Sequence, residues 1–213
     1  MYPSEESRFA SIRGPNYRLL LIVVGPRGSR LLTAFSPNLG RTVRAFDHAG
    51  FDQWIRLQAN PGVNEFCIHP RRVGAGDEGA LIDFWVAGRS TETMLVLDRG
   101  QAAAKLPSSV QDIPLRLVPP AEQAAAAVWV SNWQRLIPVI NATRCLAPKT
   151  LVKSVLSLVN KSLALSLIEH ELSVGDPAVV RGAIFELLLT GQPMAPSLHT
   201  QALSLDTLVE PTP

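Results

Sequence analysis

In the run Leu81-Ile82-Asp83-Phe84-Trp85-Val86, Asp83 is the one ionisable residue among apolar neighbours. A carboxylate in that setting does one of two things. It serves as an oxygen ligand for a hard divalent cation, or it ends a strand by accepting hydrogen bonds at a turn. The basic residues offer a second chemistry. Arg27 and Arg30 flank the turn signal Gly25-Pro26-Arg27-Gly28, and Arg71-Arg72 follows His69-Pro70. Guanidinium forks match phosphate oxygens, so both spots suit contact with a nucleic-acid backbone. The alternatives are a solvated turn for the first pair and, for the second, a charged hairpin edge that deters strand pairing. His48 suits a metal ion, a phosphate or an ordinary helix surface.

The elements that must hold these residues follow from periodicity. Phe51, Trp54, Ile55 and Gln58 recur at helical spacing, which predicts a helix over 46–58 that stops at Asn60-Pro61-Gly62. Phe66 and Ile68 lead a strand that Pro70 ends, and Gly74 to Gly79 reads as a hairpin loop. Leu81 to Val86 and Met94 to Leu97 are nearly continuous apolar runs, the pattern of buried strands. Tyr17 to Val24 and Ser29 to Phe35 are expected to pair across their turn. Leu115 to Val118 is a further strand, after which Pro119-Pro120 opens a helix that the alanine-rich run to Val130 continues. Trp129, Trp133, Leu136 and Ile137 form a helical stripe and read as core.

A second unit starts near Cys145. Helices are expected over 151–159, over 163–172 and from the Asp176-Pro177 cap through Leu189, with Gly191 closing the last. A small hairpin follows within 192–209. Three short helices and a hairpin make a winged-helix pattern. The last of these helices carries Arg181 against Asp176 and Glu186, which suits docking to protein better than reading a DNA groove. The predicted organisation is a flexible arm over 1–16, a mixed-sheet α/β domain over 17–143 and a helical, winged-helix-like domain over 144–213.

The chain has 213 residues, 46% hydrophobic and 18% charged, which are globular values. A formal net charge of +2 does not diagnose nucleic-acid binding, but its distribution is uneven. Residues 1–44 hold seven Arg and two Glu, whereas residues 145–213 hold four basic and six acidic side chains. Cys67 and Cys145 have no metal-type spacing and read as reduced thiols of a cytoplasmic protein. No apolar run reaches bilayer length, so no membrane partner is expected.

Several short phrases occur in a particular order: Thr33-Ala34-Phe35-Ser36, Gly40-Arg41-Thr42-Val43, Asn60-Pro61-Gly62-Val63, His69-Pro70, Ile82-Asp83-Phe84 and Leu97-Asp98-Arg99. Further along come Asn132-Trp133-Gln134-Arg135-Leu136, then Leu187 to Gly191, Leu198, Leu203 and Thr207-Leu208-Val209. Over about residues 29–209 the chain resembles the TnsA family, the endonuclease subunits of heteromeric transposases. That resemblance implies a restriction-endonuclease-like fold followed by a winged-helix-like domain. It implies a helix Glu, the Asp of a "PDF" phrase, and a Glu or Gln with a Lys on the last strand, which together hold divalent metal and activate water.

Against that pattern Asp83 matches and Asp47 falls within one residue of the helix position. Leu97 stands at the third ligand position and Arg99 at the lysine position. The catalytic set so implied is Asp83, Asp47 and Arg99, and the metal set is Asp83, Asp47 and Asp98 with Mg²⁺. Strand alternation points Asp98 away from Leu97 and Arg99 unless a bulge brings it round. Arg27, Arg30, Arg41, Arg71 and Arg72 are the expected DNA contacts. An arginine does not release a proton near neutral pH, so it replaces such a lysine poorly. The first reading is therefore a catalytically degenerate scaffold working with transposon-end DNA, a DDE transposase and an AAA+ regulator. The second is an active metal-dependent endonuclease nicking 5′ ends, and the third a stand-alone DNA-binding regulatory protein.

Overall fold

The computed structural model describes residues 30–73, 80–100, 106–172 and 176–212. The expected arm over 1–16, the strand over 17–24, the turn with Arg27 and the loop over 74–79 lie outside these residues.

The chain enters as a hairpin. Strand β1 (Leu32–Ser36) pairs antiparallel with β2 (Arg41–Ala45). Gly40, at φ 63°, closes the turn by donating its N–H to Ser36 O over 2.9 Å. Sequence reasoning missed β2 as a strand, although Val43 and Ala45 are buried while Thr42 and Arg44 are exposed, an alternation of period two. Helix α1 (His48–Gln58) starts two residues later than expected, because Asp47 is its N-cap. Asp47 Oδ1 accepts from Gly50 N–H at 2.6 Å, satisfying one of the first-turn donors. Trp54, Ile55 and Leu57 bury the inner face.

Strands β3 (Glu65–Ile68), β4 (Arg72–Val73), β5 (Ala80–Leu81), β6 (Phe84–Ala87) and β7 (Glu92–Leu97) follow. Next come β8 (Ser109–Val110) and β9 (Ile113–Val118). The main sheet has five strands in the order β3-β6-β7-β9-β8. It is mixed: β7 and β9 run parallel and the other neighbours antiparallel. Strands β4 and β5 form a separate antiparallel ladder past the Ile68–Phe84 end of the β3–β6 pair.

The apolar run over 81–86 is broken, where one strand was expected. Leu81 and β6 belong to different ladders, and Ile82-Asp83 lies between them. Side-chain alternation slips there. Phe84 joins the core cluster on the α1 side, Ile82 and Trp85 join the cluster on the opposite face, and Asp83 shares the α1-side cavity with Phe84. Opposite the slip stands His69, at φ 51°, whose N–H donates to Asp83 O over 2.8 Å. A left-handed non-glycine residue against an interrupted strand is a bulge-like device that re-aims a side chain.

Two helices follow the sheet where one was expected. Helix α2 (Pro120–Ala125) has Pro120 in its first turn, and α3 (Ala127–Thr143) restarts after Ala126. The C-terminal part comprises α4 (Lys149–Leu158), β10 (Leu163–Ala164), α5 (Leu165–Glu171), α6 (Pro177–Thr190), β11 (Pro193–Met194) and β12 (Leu208–Pro211). Asp176 caps α6 through Ala178 N–H at 2.8 Å, and Gly191 ends it at φ 72°. The small sheet runs β10-β12-β11. Among the described residues no helix is long and apolar enough to cross a membrane.

One apolar cluster runs through both parts, from Val43 and Trp54 through Leu95, Trp133 and Ile137 to Ile184, Leu188 and Val209. Helix α3 is its spine. Gly182 of α6 lets the two helices approach so closely that an added Cβ would lie 1.8 Å from Thr143 Oγ1. Asn132, 1% exposed, donates from Nδ2 to Leu198 O and Gln201 O, both at 2.8 Å, and accepts at Oδ1 from Leu203 N–H at 2.7 Å. Its amide thus ties the C-terminal loop to α3.

Candidate active-site cavity

The interrupted strand, the N-terminus of α1 and the end of β7 meet at a cavity of about 230 Å³. Asp47, Asp83, Arg99, His69, Arg44 and Phe46 are in its wall. Three residues singled out from sequence are thus brought together from positions far apart in the chain.

Their contacts are specific. The Asp83 side chain is only 2% exposed, and the Leu97 N–H donates to its Oδ2 over 2.7 Å. Arg99 Nη1 donates to the same oxygen at 3.1 Å and Nη2 to Oδ1 at 2.9 Å. The Nε of Arg99 turns to Asp47 Oδ2 at 2.7 Å. One guanidinium therefore bridges two carboxylates, using its fork on the buried one. The alternation that places Leu97 on this face also places Arg99 there.

Electrostatics follow from this packing. Burial raises the Asp47 carboxyl, but the hydrogen bonds from Arg99 and from Gly50 N–H, with the Arg99 charge, outweigh it and leave Asp47 below its ordinary value. Burial works against the Arg99 cation, and its bonds to Asp83 and Asp47 overcome that and hold it more firmly protonated than usual. Burial also dominates at His69, with the Arg99 and Arg72 charges adding to it against the pull of Asp83 and Asp47. Its imidazole is pushed below the ordinary value and favours the neutral form.

The fit to Mg²⁺ can be tested on these contacts. All four carboxylate oxygens of Asp47 and Asp83 already accept hydrogen bonds, and the space between the two groups holds a guanidinium. A divalent ion there would have to displace Arg99. The pair as arranged does not fit the metal. Asp98 does not join it: its Oδ1 accepts from Gly100 N–H at 2.8 Å, and it is not in the cavity wall.

The expected DNA contacts are less concentrated. Arg30, Arg41 and Arg72 are exposed and Arg71 is half-buried, while Arg27 lies outside the described residues. The Arg72 charge is felt at His69, and that of Arg41 at Cys67, whose thiol burial pushes up to about 11. Sequence reasoning missed Arg44, an exposed β2 residue at the cavity wall. The alternation of Arg41 to Ala45 was the available signal. It also missed the capping role of Asp47 and the Leu97 N–H; no side-chain pattern reports the latter.

No protein-family model matches the chain, and no curated protein matches it.

Proposed function

We propose that this chain is a TnsA-like subunit of a bacterial heteromeric transposase, acting in DNA transposition in the cytoplasm beside a DDE transposase and an AAA+ regulator. In this reading it contacts DNA and holds the complex together without cutting. The observation that carries the loss of cutting is the Arg99 bridge. A fixed monovalent cation stands between Asp47 and Asp83, where the resemblance calls for a metal, and both carboxylates are consumed in holding it.

Other features support the reading. A helix precedes a mixed sheet whose β3, β6 and β7 are successively antiparallel and whose β9 is parallel to β7, in keeping with a restriction-endonuclease-like core. The order α4-β10-α5-α6-β11-β12, with β12 central in its sheet, is in keeping with a winged helix. The third helix of that unit, α6, buries Val180, Ile184, Phe185 and Leu187 to Leu189. Its Arg181 is held by Glu169 at 2.5 and 2.8 Å. A helix so occupied has little left to offer a DNA groove, which favours protein docking for this unit. Phosphate contact falls instead to the exposed Arg30, Arg41, Arg44 and Arg72.

The test is nicking of end-labelled transposon-end DNA by this chain with its transposase, in Mg²⁺ or Mn²⁺. Cleavage at the 3′ ends alone, unchanged by Asp83→Ala or Asp47→Ala, is the expected result. Cleavage at the 5′ ends that disappears in folded Asp83→Ala protein would overturn the scaffold reading and assign the chain as the endonuclease.

A further inference from the structure

A second cleft lies on the other side of α1 and is independent of the DNA reading. It has a volume of about 650 Å³ and opens between the main sheet and the C-terminal part. That is within the size range of small-molecule sites. Leu57 of α1, Leu95 of β7, Trp133 of α3 and Leu188 of α6 give it an apolar floor. At one side Trp129 stacks on His199, ring centroids 4.0 Å apart and 4° from parallel.

The charge at one end makes the cleft more than an apolar groove. Trp133, 1% exposed, belongs to the floor. The polar end carries unbalanced charge. Arg56 Nη2 donates to Glu122 Oε1 at 2.7 Å, and Arg116 Nη2 donates to Oε2 of the same carboxylate. Two guanidiniums thus share one carboxylate, leaving a net positive charge in the cleft wall. The Arg116 side chain is 52% exposed and within reach of an incoming group.

We infer that this cleft binds a small amphipathic acid, its aromatic or branched apolar body against Trp133 and Leu95 and its carboxylate at Arg116 and Arg56. An apolar body fits the floor, and a single anionic group fits the excess positive charge. A neutral ligand of the same shape would leave that charge unmatched.

The probe is naphthalene-2-carboxylate, with 2-naphthamide as the uncharged match, titrated into the full chain by calorimetry. The carboxylate should saturate a single site about tenfold more tightly than the amide, as one charge-assisted contact predicts. Arg116→Met should bring the carboxylate down to the amide's affinity and leave the amide unchanged. Glu122→Gln should tighten the carboxylate alone, since it removes the competing anion. That gain of affinity is a result a merely structural role would not produce. Met194→Trp, at the exposed rim, should weaken both ligands. Absence of saturable binding by the carboxylate would overturn the inference. So would equal binding of acid and amide that ignores Arg116→Met and Glu122→Gln, or binding by an acidic peptide but by neither naphthalene compound.

Discussion

Arg99 grips Asp83 with both terminal nitrogens, at 3.1 and 2.9 Å, across a gap of 16 residues in sequence. The Asp83 side chain is almost wholly buried while that of Arg99 is 41% exposed. The pair is therefore asymmetric: the carboxylate depends on the guanidinium far more than the reverse.

Arg99→Leu should accordingly destabilise the fold. It strands a buried carboxylate with the Leu97 N–H as its remaining donor. A loss of about 2 kcal/mol is expected in urea unfolding, less than for a fully buried pair because water can reach part of the site. Arg99→Lys should recover only part of it, since a lysine cannot reproduce the two-pronged contact. Unchanged stability in Arg99→Leu would show that the bridge contributes nothing to folding.

Stability should fall in acid in two stages. The folded His69 value lies below the ordinary 6.5, so the unfolded chain takes up the proton first. Its contribution is fully present above pH 6.5 and is lost as the pH falls toward the folded value. Asp47 behaves alike at lower pH: its contribution is complete above the ordinary 3.8 and disappears as the pH drops through the depressed folded value. His69→Asn keeps a residue that tolerates left-handed backbone and should abolish the first stage alone. Denaturation midpoints against pH check this, and a first stage that persists in the variant would rule His69 out as its source.

Asn132→Leu should be among the most damaging single changes. It leaves Leu198 O, Gln201 O and Leu203 N–H without the partner that ties them to α3. A loss of about 3 kcal/mol is expected from stranding one buried and two part-buried backbone groups. Hydrogen exchange should show Leu203 N–H losing its protection first. An equally protected Leu203 would count against the tie.

DNA binding, if it uses the exposed arginines, should show it in salt dependence. Each neutralising change at Arg41, Arg44 or Arg72 should reduce the slope of log K against log salt by about 0.9 on duplex DNA. A slope unmoved by all three would exclude this face from phosphate contact.

Much of the frame was legible from residue patterns, and the reasons are local. Asp176-Pro177 and Gly191 bracket α6 because a cap, a first-turn proline and a left-handed residue act within one turn of the chain. The mixed α/β character was legible in the same way. The break at Asp83 was not, because a continuous apolar run carries no alternation from which a slip could be read. Nor was the double role of Arg99. The strand pattern put it on one face with Leu97, but its second carboxylate arrives on the N-terminus of α1, 52 residues earlier. The large cleft left no trace in any one segment, since its walls come from stretches spread between Gln53 and His199.

Helix α3 has one further consequence. It reaches N-terminal elements through Gln134 Nε2 to Asp52 at 3.3 Å and Asn141 Nδ2 to Phe35 O at 3.0 Å. It reaches the C-terminal part through Asn132, Arg135 to Leu203 O at 3.1 Å and the Thr143–Gly182 contact. The chain cannot be dissected at residue 143 into two working halves, because a fragment starting there would bare Ile184 and Leu188 to water. Both parts are therefore anchored on one shared helix, which bonds to α1 on the N-terminal side and to the C-terminal loop on the other.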